Sequence, residues 1–176
     1  TSSNPTQRYR KEIEFISNNT FRNTVITKLC NKFNNNSLIL VDYIDHGTLL
    51  YELICKKCKD KKVYFIRGEV AVEDREHVKT LMEKDKNIIV IAISKIFATG
   101  VNIKNLHYII FAGGGKAKVR IIQAIGRGLR LHKDKLNLII IDIADELMYA
   151  QRHGKKRIQL YKKEFIKYGT KEITEK

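Results

Sequence analysis

The chain has 176 residues, of which 43% are hydrophobic and 30% charged, enough for one ordinary domain with a helical extension. No apolar run approaches the roughly 18 residues of a membrane-spanning helix, and residues 1–10 lack a signal-peptide apolar stretch. A cytoplasmic protein is therefore predicted. The net charge of +15 favours a polyanionic partner such as nucleic acid, although a general Asn/Lys/Ile bias would also produce it.

Two helical segments open the chain, at 6–17 and 20–33, and the polar run 34–37 ends them. From residue 37, short β-branched apolar runs alternate with helical patterns. The predicted strands are 37–42, 63–66, 87–93, 107–111 and 136–142. The predicted helices between and after them are 48–57, 72–83, 117–131 and a long basic helix at about 145–167.

This alternation predicts an α/β fold with a parallel sheet flanked by helices, because continuous apolar strands need cover on both faces. We divide the chain into an N-terminal helical segment or linker (1–36), an α/β domain (37–145) and a basic C-terminal helix and tail (146–176). Open parallel sheets bind ligands beyond the carboxyl ends of their strands. Segments 42–47, 67–68, 94–102 and 113–116 should therefore share one functional edge.

The three cysteines are too few for a disulfide framework. Cys55 and Cys58 have zinc-knuckle spacing, but a structural zinc site needs four ligands. Cys30 and His46 would complete such a site only by a coincidence of folding. We expect free thiols and no bound metal.

The segment 117–131 carries the most informative pattern. On a helix, Gln123, Arg127 and Arg130 project from one face, and a second stripe that can pack on the sheet is formed by Ile122, Ile125 and Leu129. Gly126 and Gly128 interrupt the helix at a cost of roughly 1 kcal/mol each relative to Ala. Two forked guanidiniums and an amide suit a phosphate. The alternative is an ordinary solvated basic face.

The pattern Gln-x-x-Gly-Arg-x-x-Arg at 123–130 resembles motif VI of superfamily 2 helicases. In that family the arginines reach the γ-phosphate of ATP held by the other RecA-like domain. The resemblance implies that Arg127 and Arg130 are catalytic arginine fingers and that Gln123 lines the ATP.

The segment 94–103 follows a predicted strand and resembles motif V of the same family. That motif supplies a hydroxyl to a nucleic-acid phosphate, and a Gly and an acidic residue beside the nucleotide. The resemblance implies a nucleic-acid contact by Ser94, which stands where Thr is usual. It also implies ATP contacts by Gly100 and by Asn102, which stands where Asp is frequent.

Segments 37–47 and 65–75 resemble motif IV and the element that follows it, so family order and spacing extend over 37–145. The resemblance implies a second RecA-like motor domain. Arg67, Lys95 and Lys116 are further candidates for nucleic-acid phosphates. The exposed face of the terminal helix should add non-specific DNA affinity through its basic residues, Lys155, Lys156, Arg157, Lys162 and Lys163.

Finer similarity, in 99–107 and in the terminal helix, points to the UvsW group of phage DNA helicases. The group contains ATP-driven enzymes that unwind and anneal branched DNA, including branch migration. For a member of this group, DNA recombination or repair in the host cytoplasm is the expected role.

A Gly-x-x-x-x-Gly-Lys-[Ser/Thr] phosphate loop is absent from the sequence, since 113–117 has neither its spacing nor its hydroxyl for Mg²⁺. We therefore expect ATP and Mg²⁺ to be held by a first RecA-like domain of the same, longer polypeptide. The chain alone should be inactive. The alternatives left open are a non-catalytic RecA-like nucleic-acid-binding module, an RNA-directed superfamily 2 motor and a translocating nuclease.

Overall fold

A computed structural model describes residues 4–69, 71–99, 103–115, 117–131, 138–164 and 166–175, with positions 117 and 127–131 described by their backbone alone. Its centre is a five-stranded parallel sheet in the order β2-β3-β1-β4-β5. The strands are β1 (Ser37–Val41), β2 (Val63–Ile66), β3 (Ile89–Ile93), β4 (Tyr108–Phe111) and β5 (Ile139–Asp142). The predicted α/β fold with a parallel sheet is confirmed.

Helices cover the sheet and hold its apolar strands away from water. They are α1 (Pro5–Asn18), α2 (Thr20–Lys32), α3 (Ile44–Lys57), α4 (Ala71–Lys84), α5 (Ala117–Leu131) and α6 (Met148–Lys163). A short 3₁₀ helix, Ser94–Phe97, follows β3. Every residue of β1 and β3 is buried, as expected for central strands with both faces covered.

The helix α3 begins at Ile44, four residues before its predicted start. The prediction treated Gly47 as part of a loop, whereas this glycine is buried inside the helix against the Phe65 ring. Asp45 in the first turn favours this earlier start, because a carboxylate is stabilised near a helix N-terminus.

The terminal helix α6 is shorter than predicted at both ends. Asp145, predicted to be its first residue, instead pairs with Arg22 of α2 at 2.9 Å. Glu164 already has the dihedral angles of a helix cap. The proposed domain boundary at residue 36 stays a prediction, although α2 contributes the buried residues Ile26 and Cys30 to the same core as the sheet.

Cys30 and Cys58 are buried, Cys55 is exposed, and all three are free thiols. Burial, with the nearby Cys58, raises the pKa of Cys30 to about 12. Across the described ranges, no three His, Cys, Asp or Glu side chains converge as metal ligands would. Nor does this part of the chain contain a helix long and apolar enough to cross a membrane.

Candidate nucleotide and nucleic-acid site

A cleft of about 310 Å³ opens at the carboxyl edge of the sheet. It forms where β1, β2 and β3 end side by side, as expected for parallel strands. Its lining comprises Asp42, Tyr43, Ile44, Asp45, Arg67, Ile93 and Lys95. Two of the predicted nucleic-acid contacts, Arg67 and Lys95, are thus brought together.

Arg67 and Lys95 are both exposed. Arg67 directly follows β2, and Lys95 is the second residue after β3. The guanidinium carbon of Arg67 lies 5.7 Å from the centroid of the Phe65 ring, a cation–π distance. The next residue, Gly68, has φ +81°, a left-handed conformation that favours glycine. The two cations are therefore presented to solvent at a fixed edge.

Ser94, a third predicted nucleic-acid contact, is 2% exposed. Its Oγ donates a hydrogen bond to the carbonyl of Val41 at 3.0 Å. The hydroxyl therefore joins the ends of β3 and β1, and its contact with a phosphate stays a prediction.

Arg75 of α4 holds the segment that follows the 3₁₀ helix. Its Nη1 donates to Thr99 Oγ1 at 2.5 Å and to the carbonyl of Ile96 at 3.4 Å. Thr99 directly precedes Gly100. Arg75 thus fixes the approach to the predicted nucleotide-contacting stretch.

The helix α5 spans Ala117–Leu131, as predicted, and Gln123 on it is exposed. Ile122 and Ile125, two of the three residues of the predicted packing stripe, are buried in the core, and the side chain of the third, Leu129, lies outside the described residues. Three other predicted contacts with ATP or nucleic acid lie outside the described residues, namely Gly100, Asn102 and Lys116. For Arg127 and Arg130 the backbone is described but the side chains are not.

Sequence reasoning left Asp42 out of the site. Its Oδ2 accepts a hydrogen bond from the backbone N–H of Gly115 at 2.5 Å. A Cβ at Gly113 or Gly115 would overlap the Asp42 carboxylate. The close approach of loop and carboxylate explains these two glycines, and an Asp at the end of the first predicted strand, on the functional edge, was the available signal.

Lys118 was also missed. Its side chain is 2% exposed, and its Nζ lies 3.5 Å from Asp142 Oδ1 and 5.8 Å from the Phe111 ring centroid. Burial lowers the pKa of Lys118 to about 8, although the attraction of Asp142 opposes that shift. The sequence offered one signal, an Asp at the end of the last apolar strand.

The prediction that Arg157 belongs to the solvated face of the terminal helix is wrong. Arg157 is 3% exposed and its Nε donates to Asp142 Oδ2 at 2.6 Å. A buried guanidinium needs a carboxylate, and Asp142 supplies one. The remaining basic residues of the proposed face are exposed: Lys155, Lys156, Lys162 and Lys163.

A five-stranded parallel sheet in this order, covered by helices and with a cleft at its carboxyl edge, defines a RecA-like domain. The helicase conserved C-terminal domain model matches residues 20–132. The chain belongs to this helicase C-terminal domain family.

Among known proteins, the chain is similar to the "ATP-dependent DNA helicase uvsW" of Enterobacteria phage T4, with 35% identity over 94% of this chain and 36% of that protein. The crystal structure of T4 UvsW superposes with a TM-score of 0.67 at 33% identity, covering 89% of this chain and 35% of that one. The "Putative helicase 161L" of Invertebrate iridescent virus 6 is 31% identical over 86% of this chain and 35% of its own length. The chain thus spans about a third of these relatives.

The C-terminal domain of the DEAD-box protein Dbp5 superposes with a TM-score of 0.55, covering 82% of this chain and 80% of that one. At 15% identity this likeness is one of fold alone. It supports the RecA-like fold and nothing finer.

Proposed function

We propose that this chain is the second motor domain of an ATP-dependent DNA helicase that unwinds, anneals or branch-migrates branched DNA. One observation carries the proposal: α5 is a single continuous helix from Ala117 to Leu131, despite Gly126 and Gly128. Positions 123, 127 and 130 therefore share one helix face. The similarity to a phage protein named as an ATP-dependent DNA helicase supports the substrate class.

In this proposal Arg127 and Arg130 are arginine fingers. Their guanidiniums stabilise the negative charge that develops on the γ-phosphoryl group as ATP is hydrolysed. Gln123, Gly100 and Asn102 line the nucleotide beside them. The exposure of Gln123 on α5 is compatible with that role.

The ATP phosphates and Mg²⁺ are assigned to a first RecA-like domain of the same polypeptide. The sequence lacks a phosphate loop, and no cluster of three metal-ligating side chains is found among the described residues. This chain on its own is therefore expected to show no ATP hydrolysis.

The nucleic-acid track is assigned to the cleft and its neighbourhood. Arg67 and Lys95 bind backbone phosphates, with Ser94 and Lys116 as further contacts. The four exposed lysines of α6 add non-specific attraction to DNA. Phosphate contacts of this kind position the strand without reading its sequence.

The test is turnover of the full-length protein that contains this chain. Arg127→Ala and Arg130→Ala should each lower DNA-stimulated ATP hydrolysis by on the order of 10³-fold, because arginine fingers act on the transition state. Arg→Lys should restore little, since an ammonium cannot reproduce a planar fork. DNA affinity without nucleotide should change little.

Arg10→Ala is the matched control, since it removes an exposed arginine from α1. Its turnover should equal that of the wild type. Normal turnover in Arg130→Ala would leave the chain as a non-catalytic binding module. Stimulation by RNA and not by DNA would identify an RNA-directed motor.

A further inference from the structure

The helix α6 lies beyond residues 20–132, the part matched by the family model, yet it is linked to α5 in two places, once through Asp142 of β5 and once directly. The first contact is built on Asp142, the last residue of β5. Its Oδ2 accepts hydrogen bonds from Arg157 Nε at 2.6 Å and from Tyr161 Oη at 2.7 Å, both on α6. Its Oδ1 faces Lys118 Nζ at 3.5 Å, in the first turn of α5.

The charges in this cluster keep it assembled at neutral pH. Burial works to raise the pKa of the Asp142 carboxyl, but Lys118 and Arg157 together hold it below its ordinary value. Burial and the adjacent Asp142 raise the pKa of the Tyr161 hydroxyl, which therefore keeps its proton. The hydrogen bonds of a buried carboxylate with three donors are costly to break, so they fix the relative position of the elements that supply the donors.

The second contact lies at Gly126, which directly precedes Arg127. A Cβ added to Gly126 would lie 2.5 Å from Glu164 Oε2 and 3.1 Å from Glu164 Cβ. Glu164 is the C-cap of α6. A side chain at position 126 would therefore have to displace Glu164, because the end of α6 packs against the backbone of α5 there.

The opposite end of α6 is held by α1. The Glu12 carboxylate accepts hydrogen bonds from the backbone N–H groups of Tyr149 at 3.1 Å and Ala150 at 2.6 Å. The N-cap residue, Leu147, makes no side-chain cap bond. Glu12 thus caps α6 in its place, at the end of the helix away from Arg157, Tyr161 and Glu164.

We propose that α6 positions the arginine helix α5 for ATP hydrolysis, with Arg157, Tyr161 and Glu164 as positioning residues. The proposal rests on the proposed function, in which Arg127 and Arg130 meet the γ-phosphate. Lys118 fixes the start of α5, and Gly126 fixes its middle, one residue before the first arginine finger. Misplacement of a reacting group by about 1 Å can cost on the order of 100-fold in rate.

Two mild variants of the full-length protein test this role. Tyr161→Phe removes one hydrogen bond and keeps the ring, and Gly126→Ala places a methyl group against Glu164. Each should lower kcat for DNA-stimulated ATP hydrolysis by about 10- to 100-fold while KM for ATP stays within about twofold.

Glu12→Gln is the control, because it weakens the other end of α6 without touching α5. It should lower the melting temperature and leave kcat unchanged. Wild-type kcat in either Tyr161→Phe or Gly126→Ala would overturn the proposal, as would an equal loss of kcat in Glu12→Gln. These outcomes are distinct from failure of the proposed function, which Arg130→Ala tests alone.

Discussion

The carboxylate of Asp42 and the backbone N–H of Gly115 are joined by a hydrogen bond of 2.5 Å across the carboxyl edge of the sheet. Asp42 follows β1, and Gly115 lies in the loop between β4 and α5. Because β1 and β4 are neighbours, the bond fixes the loop where the arginine helix is about to begin. Glycine at 113 and 115 leaves room for the carboxylate.

Removal of this carboxylate should loosen the start of α5. Asp42→Ala is expected to lower the free energy of unfolding by about 1.5–3 kcal/mol, the usual contribution of a hydrogen bond to a charged group. Urea unfolding of the isolated chain, followed by circular dichroism, measures the change. Asp45→Ala is the matched control, since Asp45 lines the same cleft but is exposed.

Asp45→Ala removes the same charge and should cost at most about 1 kcal/mol, the value of a carboxylate in the first turn of a helix. Equal destabilisation by the two variants would contradict a specific role for the Asp42–Gly115 bond. It would indicate instead that net charge at this edge determines stability.

Local pattern was sufficient to predict the sheet and its functional edge. The continuous apolar runs of β1 and β3 predicted buried parallel strands. The positions of Arg67 and Lys95 after strand ends predicted that both would lie at one edge of the sheet, and both line the cleft there. The positions of Ile122 and Ile125 predicted the face of α5 that packs on the core. These features depend on residues close together in the chain.

Features that depend on distant partners were missed. In the sequence, Arg157 is one more cation in a basic helix. Its burial is explained by its ion pair with Asp142, and the tertiary fold is what places Asp142 opposite α6. The start of α3 was missed for the same reason. Gly47 has the local signature of a loop, but its packing against Phe65 decides the outcome.

The cleft at the carboxyl edge should contribute a salt-dependent part of DNA binding. Arg67→Ala and Lys95→Ala are each expected to weaken binding to any DNA sequence and to reduce the slope of log K against log salt by about 0.7, if each residue neutralises one phosphate of a single strand. The slope is measured by fluorescence anisotropy with a single-stranded oligonucleotide, at salt concentrations from about 50 to about 200 mM.

Lys86→Ala is the control for both variants. Lys86 is exposed in the turn before β3, at the amino edge of the sheet, whereas Lys95 follows the carboxyl end of the same strand. The charge lost is identical, so a slope reduced equally by Lys86→Ala would show that net charge, and not the cleft, governs binding.

The thiols should differ in reactivity. Cys55 is exposed, while Cys30 and Cys58 are buried, and burial raises the pKa of both buried thiols. A thiolate-selective reagent at pH 8 is therefore expected to label one thiol per native chain quickly and all three after unfolding in guanidinium. The variant Cys55→Ser should abolish the fast phase. A fast phase that persists in this variant would contradict the buried placement of the other two thiols.

His46 should make the stability of the domain sensitive to mild acid. It is 3% exposed, and its Nε2 lies 3.0 Å from Asn23 Oδ1. Because Asn23 Nδ2 donates to the carbonyl of Ser17, the Asn23 oxygen is the acceptor and Nε2 carries the hydrogen. Burial and the nearby Arg22 lower the pKa of His46 from 6.5 to about 3, so the folded state holds this ring neutral.

The sign of the effect follows from proton uptake. Between pH 6.5 and about 3 the unfolded chain binds a proton at His46 and the folded chain does not, so stability falls as pH falls through this window. From pH 7.5 to pH 5 the His46 contribution amounts to a loss of about 2 kcal/mol. Urea unfolding at the two pH values measures the total change, which includes other titrating groups.

His46→Gln isolates the contribution of the imidazole. The glutamine amide can donate a hydrogen bond to Asn23 but does not titrate, so the variant should lose about 2 kcal/mol less than the wild type between the two pH values, even if it is less stable at both. His77→Gln is the control, since His77 is exposed on α4, and it should leave the pH dependence unchanged. An identical pH dependence in wild type and His46→Gln would show that His46 is protonated without cost in the folded state, contrary to its burial beside Arg22.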